Sequence, residues 1–231
     1  MPKYRFPQYY YEETPEVTEF KRIVNKLQIH REKQEKRLFM VTSANISEGK
    51  STTAAYLAAT IARTTHTATL LIDCDLRRPT VHKQFLLDKE PGTANILQKG
   101  GDIRKVLKNS SIPNLKIMTS GIAETSPAEL FSSRIATEMF KKIRFYFKSI
   151  VIDSPPVLPV SDTLLLSNIA EGIFFVTKAG ISQKRAGKRA LELLQENRDK
   201  ILGAIINNAQ RALPYYYDYA SYNYQYYEKA Y

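Results

Sequence analysis

Gly49-Lys50-Ser51 stands where a short apolar run gives way to an amphipathic one. Residues Ala44-Asn-Ile-Ser-Glu-Gly49-Lys50-Ser51 match G-x-x-x-x-G-K-[ST] except at the first glycine. A strand before such a loop and a helix after it aim main-chain N–H groups and a helix N-terminus at one point, which is a site for phosphates. Lys50 supplies a cation for the β- and γ-phosphates, and the Ser51 hydroxyl is a ligand for Mg²⁺. Ser47, Glu48, Gly49 and Thr52 complete the expected loop. An ordinary turn with a chance Gly-Lys-Ser is the plainer alternative, and the strand and helix on either side argue against it. Ala44 replaces the first glycine; if that position requires φ > 0, the cost is about 1 kcal/mol.

Three carboxylates offer the complementary chemistry. Asp73 and Asp75 follow the apolar run Thr69–Ile72, and Asp153 ends the run Ser149–Ile152. Hard carboxylate oxygens suit Mg²⁺, directly or through its waters. One of them could also accept a proton from a hydroxyl attacking the γ-phosphate. Any single aspartate could instead be a turn or helix cap. Cys74 lies between two of them and reads as a small core residue. The three histidines are scattered without metal-ligand spacing.

These groups meet only if the chain folds in a particular way. Near-continuous apolar runs at Leu38–Thr42, Thr69–Asp73, Leu115–Thr119, Ser149–Asp153, Ile173–Thr177 and Leu202–Ile206 predict strands covered on both faces. Helices are expected at about 15–34, 50–64, 133–147, 161–169 and 182–198, with Pro15 opening the first and Gly203 following the last. Such alternation implies an α/β fold with a doubly wound, mostly parallel sheet and right-handed crossovers. Ligands on these sheets bind beyond the carboxyl ends of the strands, where every motif above falls.

The 231 residues are 43% hydrophobic, enough for one domain with a real core. Residues 1–14 read as a flexible segment, 15–213 as the domain, and 214–231 as a disordered tail. A single cysteine excludes an internal disulfide. No apolar run reaches the roughly 18–20 residues needed to span a bilayer. A cytoplasmic protein is therefore expected. The net charge of +11 admits nucleic acid, anionic membrane or acidic protein as partners, although basic clusters such as Lys184, Arg185, Lys188 and Arg189 also suit a solvated helix face.

Together the loop ending Glu48-Gly49-Lys50-Ser51, the motif Asp73-x-Asp75-x-Arg77, Asp153-x-x-Pro156, the stretch Ser120-Gly121 through Ser126-Pro127-Ala128-Glu129-Leu130 and the tyrosine-rich tail resemble the bacterial tyrosine kinases of capsular and exopolysaccharide synthesis. The likeness is to the Gram-positive type, whose cytoplasmic kinase is separate from its membrane activator. It implies a P-loop NTPase fold related to partition and division ATPases, with ATP and Mg²⁺ bound. Lys50 and Ser51 would serve phosphate and metal, Asp75 and Asp153 would hold the metal, Asp73 would be the base, and Asn207 would lie near the adenine. The family autophosphorylates its tail in trans within a ring. The acceptors here would be Tyr215, Tyr216, Tyr217, Tyr219, Tyr222, Tyr224, Tyr226, Tyr227 and Tyr231. The implied partners are a membrane-embedded activator or polysaccharide co-polymerase, which would hold the kinase at the inner face of the membrane, and a cognate tyrosine phosphatase. No nucleic acid is implied. Two departures stand out. Ile46 and Ser47 occupy the stretch where the family carries Pro, and the ring-forming E-x-x-R-x-x-R reads Glu19-x-x-Arg22-x-x-Asn25.

Each phosphate adds about −1.5 to −2 charges, so nine would add on the order of −14 to −18 and overturn the present excess. Two other functions remain open: a partition- or division-type ATPase switch without tyrosine phosphorylation, and a non-catalytic nucleotide-binding regulator. Ser43-Ala44-Asn45 lacks the second lysine such switches typically carry near the start of the loop.

Overall fold

The computed structural model describes residues 14–31 and 36–209. Seven strands form one sheet, in the order β3-β4-β2-β5-β1-β6-β7. They are β1 (Leu38–Ser43), β2 (Thr69–Asp73), β3 (Leu107–Asn109), β4 (Leu115–Met118), β5 (Ser149–Asp153), β6 (Gly172–Lys178) and β7 (Ile201–Asn207). All pairings are parallel except β3 with β4. The helices are α1 (Pro15–Arg31), α2 (Lys50–Thr65), α3 (Val81–Phe85), α4 (Thr93–Lys99), α5 (Pro127–Ser132), α6 (Arg134–Tyr146), α7 (Asp162–Ile169) and α8 (Lys184–Leu193).

The pleat sorts the apolar runs into two cores. Phe39, Val41, Leu71 and Val151 face α1 and α2, whereas Leu38, Met40, Leu70, Ile72, Ile150 and Ile152 face α4, α6 and α7. Val17, Phe20, Val24 and Leu27 are the buried stripe of α1, spaced to lie on one helical face. Each such side chain contributes roughly 1.5–3 kcal/mol by leaving water. Phe20 also stacks on Tyr56 of α2, with centroids 5.4 Å apart.

The same parity positions the site. Asp73 shares its side of β2 with Leu71, and Asp153 shares its side of β5 with Val151. Both carboxylates therefore fall on the α2 side of the sheet, where Lys50 begins the helix. The strand register pairs Asp73 directly with Asp153. Two acids 80 residues apart in sequence are thus side by side at the carboxyl edge.

Several sequence expectations change. Gly203 lies inside β7 and does not follow a helix. The last helix is α8, followed by a 3₁₀ segment, Gln195–Lys200, with non-helical geometry at Asn197. Ala44 is not among the positive-φ residues; that conformation falls on Ser47 (φ 61°) and Gly49 (φ 96°), so the expected strain has moved along the loop. The antiparallel β3 and helices α3, α4 and α5 were not anticipated. Residues 1–13, 32–35 and 210–231 lie outside the described part, including the whole tyrosine cluster.

Candidate active site

Beyond the carboxyl ends of the central strands opens a cleft of about 340 Å³. One wall is the phosphate loop: Ile46, Ser47, Gly49, Lys50, Ser51 and Thr52. The other is the segment after β2: Asp75, Arg78, Thr80 and Gln84.

The loop wall is held by the rest of the fold. Glu48 is buried and does not line the cleft. Its carboxylate accepts the Asn45 N–H at 2.8 Å and bonds the Ser182 hydroxyl, which in turn accepts the Lys178 N–H at 2.8 Å. Asn207, at the end of β7, also lies outside the cleft lining; its Nδ2 donates to the Glu48 carbonyl at 3.0 Å. A Cβ on Gly49 would stand 2.0 Å from that Nδ2. The left-handed φ calls for glycine there, and a side chain would also push the Asn207 amide off its bond.

The aspartate wall is held by its own side chains. Lys50 Nζ pairs with Asp75 Oδ2 at 2.9 Å. Asp75 Oδ1 accepts the Arg78 N–H at 3.0 Å, and Asp73 accepts the Asp75 and Val81 N–H groups at 3.2 Å each. Arg77 grips Asp162, the first residue of α7, through Nε at 2.8 Å and Nη2 at 3.2 Å. Asp73 and Asp153 lie fully buried behind the cleft surface.

Burial raises the Asp153 carboxyl from an ordinary 3.8 to about 6, against the opposing pull of Lys50 and the nearby Ser51 side chain. Burial and then the charge of Asp153 push Asp73 well above the carboxylate range, in spite of its two N–H bonds. Burial lowers the Lys50 ammonium, but Asp153, Asp75 and Asp73 outweigh it and leave it raised. Burial and the same three acids push the Cys74 thiol up, which makes it a poor nucleophile.

Neither oxygen of Asp153 has a hydrogen-bond partner of ordinary geometry. An unpartnered buried carboxylate is costly, and a hard dication is the natural counter-charge. Among the described residues no three acids, histidines or cysteines form a metal cage. Mg²⁺ is commonly held by one or two carboxylates, with phosphates and water completing its shell. Asp153, with the Ser51 side chain beside it, offers oxygen donors of that kind.

The sequence motifs pointed to the loop, Lys50 and the three acids. They did not point to Arg78, Thr80 or Gln84 in the cleft, although Arg78 directly follows Arg77. Ser182 and Asp162 carry no local signal at all.

The chain matches the family model described as an AAA domain over residues 44–209. It is 39% identical over 168 residues to tyrosine-protein kinase YwqD of Bacillus subtilis (strain 168), a match spanning 73% of this chain and 70% of that one. The solved structure of the chimerical protein CapA2B2 superposes with a TM-score of 0.81 at 26% identity, covering 88% of this chain and 89% of that one. The septum site-determining protein MinD of Pyrococcus horikoshii OT3, solved with Mg-ADP, shares the fold, with a TM-score of 0.65 at 20% identity over 81% and 76% of the two chains. A phosphate loop facing paired strand-end aspartates, on a chain this similar to known kinases, places the protein in the bacterial tyrosine kinase family, as a protein-tyrosine kinase with a P-loop fold.

Proposed function

We propose that the chain transfers the γ-phosphate of Mg–ATP to tyrosines of its own C-terminal cluster, in trans within a homo-oligomer, and thereby regulates capsular or exopolysaccharide synthesis and chain length. The observation that carries this reading is the unpartnered Asp153 carboxylate, registered beside Asp73 behind the cleft surface and within the influence of the Lys50 charge. Nine tyrosines within the last 18 residues supply the acceptors.

The loop N–H groups and Lys50 bind the phosphates. Binding draws Lys50 off Asp75, which frees that carboxylate. Mg²⁺, held by Ser51, Asp75 and Asp153, would neutralise charge on the phosphate oxygens. A phenol titrates near pH 10 and needs help to attack. Asp73 takes the phenolic proton: each of its oxygens accepts one N–H and keeps a second lone pair. The phenolic oxygen bonds to phosphorus, the bond to the β-phosphate oxygen breaks, and ADP leaves.

Among the described residues no helix is long and apolar enough to cross a membrane. A separate membrane-embedded activator would then hold the kinase at the membrane, and a tyrosine phosphatase would reset it. In α1, Arg22 pairs with Glu19 of its own chain, and Asn25 is exposed where the ring motif has its second arginine. A looser ring is the expected result.

Intact mass after incubation with Mg–ATP tests this, beside Lys50→Met and a chain truncated after Pro214. A ladder of added phosphates on the wild type alone is the expected result. Steady ADP release with no mass change would refute tyrosine transfer and favour an ATPase switch.

A further inference from the structure

We propose that Arg78, with Thr80 and Gln84, forms the acceptor side of the cleft, and that the Arg78 guanidinium stabilises the phosphoryl group as it passes to the tyrosine. The identity of the acceptor rests on the kinase reading above; the charge argument does not.

Phosphoryl transfer spreads negative charge over three equatorial oxygens while bonds to the entering and leaving oxygens are both long. A loop lysine covers the side facing the nucleotide. The far side needs a second cation, which other phosphoryl-transfer proteins supply as an arginine. The cleft lining contains two cationic side chains, Lys50 and Arg78. They come from different segments, Lys50 from the start of α2 and Arg78 from the stretch after β2. Lys50 is the cation of the phosphate loop, and the loop start, Ser43-Ala44-Asn45, has no lysine to add.

Arg78 is exposed and forms no ion pair with a described residue, so its planar fork is available for two phosphate oxygens at once. Its backbone is not free. The Arg78 N–H is bonded to Asp75 Oδ1, and Arg77 beside it is anchored on buried Asp162. The guanidinium thus swings from a backbone anchored on Asp75 and, through Arg77, on Asp162.

The neighbours suit a phenol. Thr80 and Gln84 line the same wall, joined only by a long 3.4 Å contact between Gln84 Nε2 and Thr80 Oγ1. Gln84 Oε1 is shielded from water and has no hydrogen-bond partner. Turning that amide toward an entering hydroxyl costs it little. In the transfer itself, the phenolic oxygen–phosphorus bond forms, the bond to ADP breaks, and the proton goes to Asp73. Arg78 touches the moving phosphoryl oxygens throughout and changes no bond of its own.

Full-length wild type, Arg78→Ala and Arg78→Lys separate this from a structural role. Mg-ADP is titrated with and without aluminium fluoride, which mimics the phosphoryl group in flight. ADP affinity alone should stay within about 2-fold, while Arg78→Ala loses about 10²-fold or more of the fluoride-dependent tightening. Tail phosphorylation should fall by about 10²- to 10³-fold with little change in KM for ATP, and Arg78→Lys should recover part of it. Undiminished fluoride tightening in Arg78→Ala, or a loss confined to ADP affinity, overturns the proposal. So does a wild type that shows no tightening. A wild type that tightens but never labels tyrosine refutes the acceptor reading separately, and the fluoride comparison still decides the role of Arg78.

Discussion

The two walls of the cleft solve the same problem by opposite means. The phosphate-loop wall presents main chain beside Lys50 and Ser51, and side chains that do not line the cleft brace it: Glu48 reaches Ser182, 134 residues on, and Asn207 of β7 reaches back to the Glu48 carbonyl. The aspartate wall presents side chains, and its main chain does the bracing, through N–H groups of Asp75, Arg78 and Val81 donated to the acids themselves. Main-chain binding tolerates many residue types but not a change of backbone shape. Side-chain binding tolerates backbone adjustment but not a change of charge. Substitutions on the two walls should therefore fail differently.

The largest effect expected is at the one residue serving both walls. Lys50→Met removes the phosphate cation and leaves Asp75 unpaired, so tail phosphorylation by mass spectrometry should fall at least about 10³-fold. Next comes the backbone. Gly49→Ala adds about 1 kcal/mol of left-handed strain to the Asn207 clash, and calorimetry should find ADP binding weakened on the order of 10-fold or more. Asn207→Ala in the same chain should restore part of that loss by removing the clash. If the double variant is merely additive, the clasp does not shape the loop.

Asp153→Asn should split activity from stability. The folded protein holds a proton on Asp153 up to about pH 6, whereas the unfolded chain releases it near 3.8. Folding thus takes up a proton between those values, and this group's contribution to stability falls as pH rises from about 4 through 6, then stays low. In chelator at pH 7.5, Asp153→Asn should raise Tm on the order of 5 °C, with the gain fading at pH 4.5, while phosphorylation collapses. An unchanged Tm at pH 7.5 would mean that Lys50 already compensates the acid fully. The smallest change is Ser47→Gly. Relief of about 1 kcal/mol at φ 61° is offset by the roughly 0.5–1 kcal/mol that glycine adds to the entropy of the unfolded chain, so Tm should barely move. Ser47→Val, with a β-branched residue in the same conformation, should lower it clearly.

How far the sequence carried depended on distance along the chain. The strands were legible because each is a run of apolar residues buried on both sides, and the phosphate loop because its function needs adjacent residues. The short helices α3, α4 and α5 have five to seven residues each, too few for a periodic pattern; they are set by what they pack against. β3 has three residues, none of them fully buried, and no apolar run to mark it. Gly203 was misplaced because a glycine between two elements reads as a helix stop, whereas an edge strand tolerates one. The acids were found individually, but their pairing came from strand register, and Asp162 and Ser182 became visible only when segments 85 and 134 residues apart met.

The Asn207 clasp also sets an order of events during synthesis. Its partner, the Glu48 carbonyl, leaves the ribosome 159 residues earlier. At about 5–20 residues per second, that is roughly 8–32 s in which the nascent chain carries Gly49-Lys50-Ser51 without the strand that holds them. A translation product ending before residue 207 would therefore carry the full phosphate-loop motif without the bond that clasps the Glu48 carbonyl.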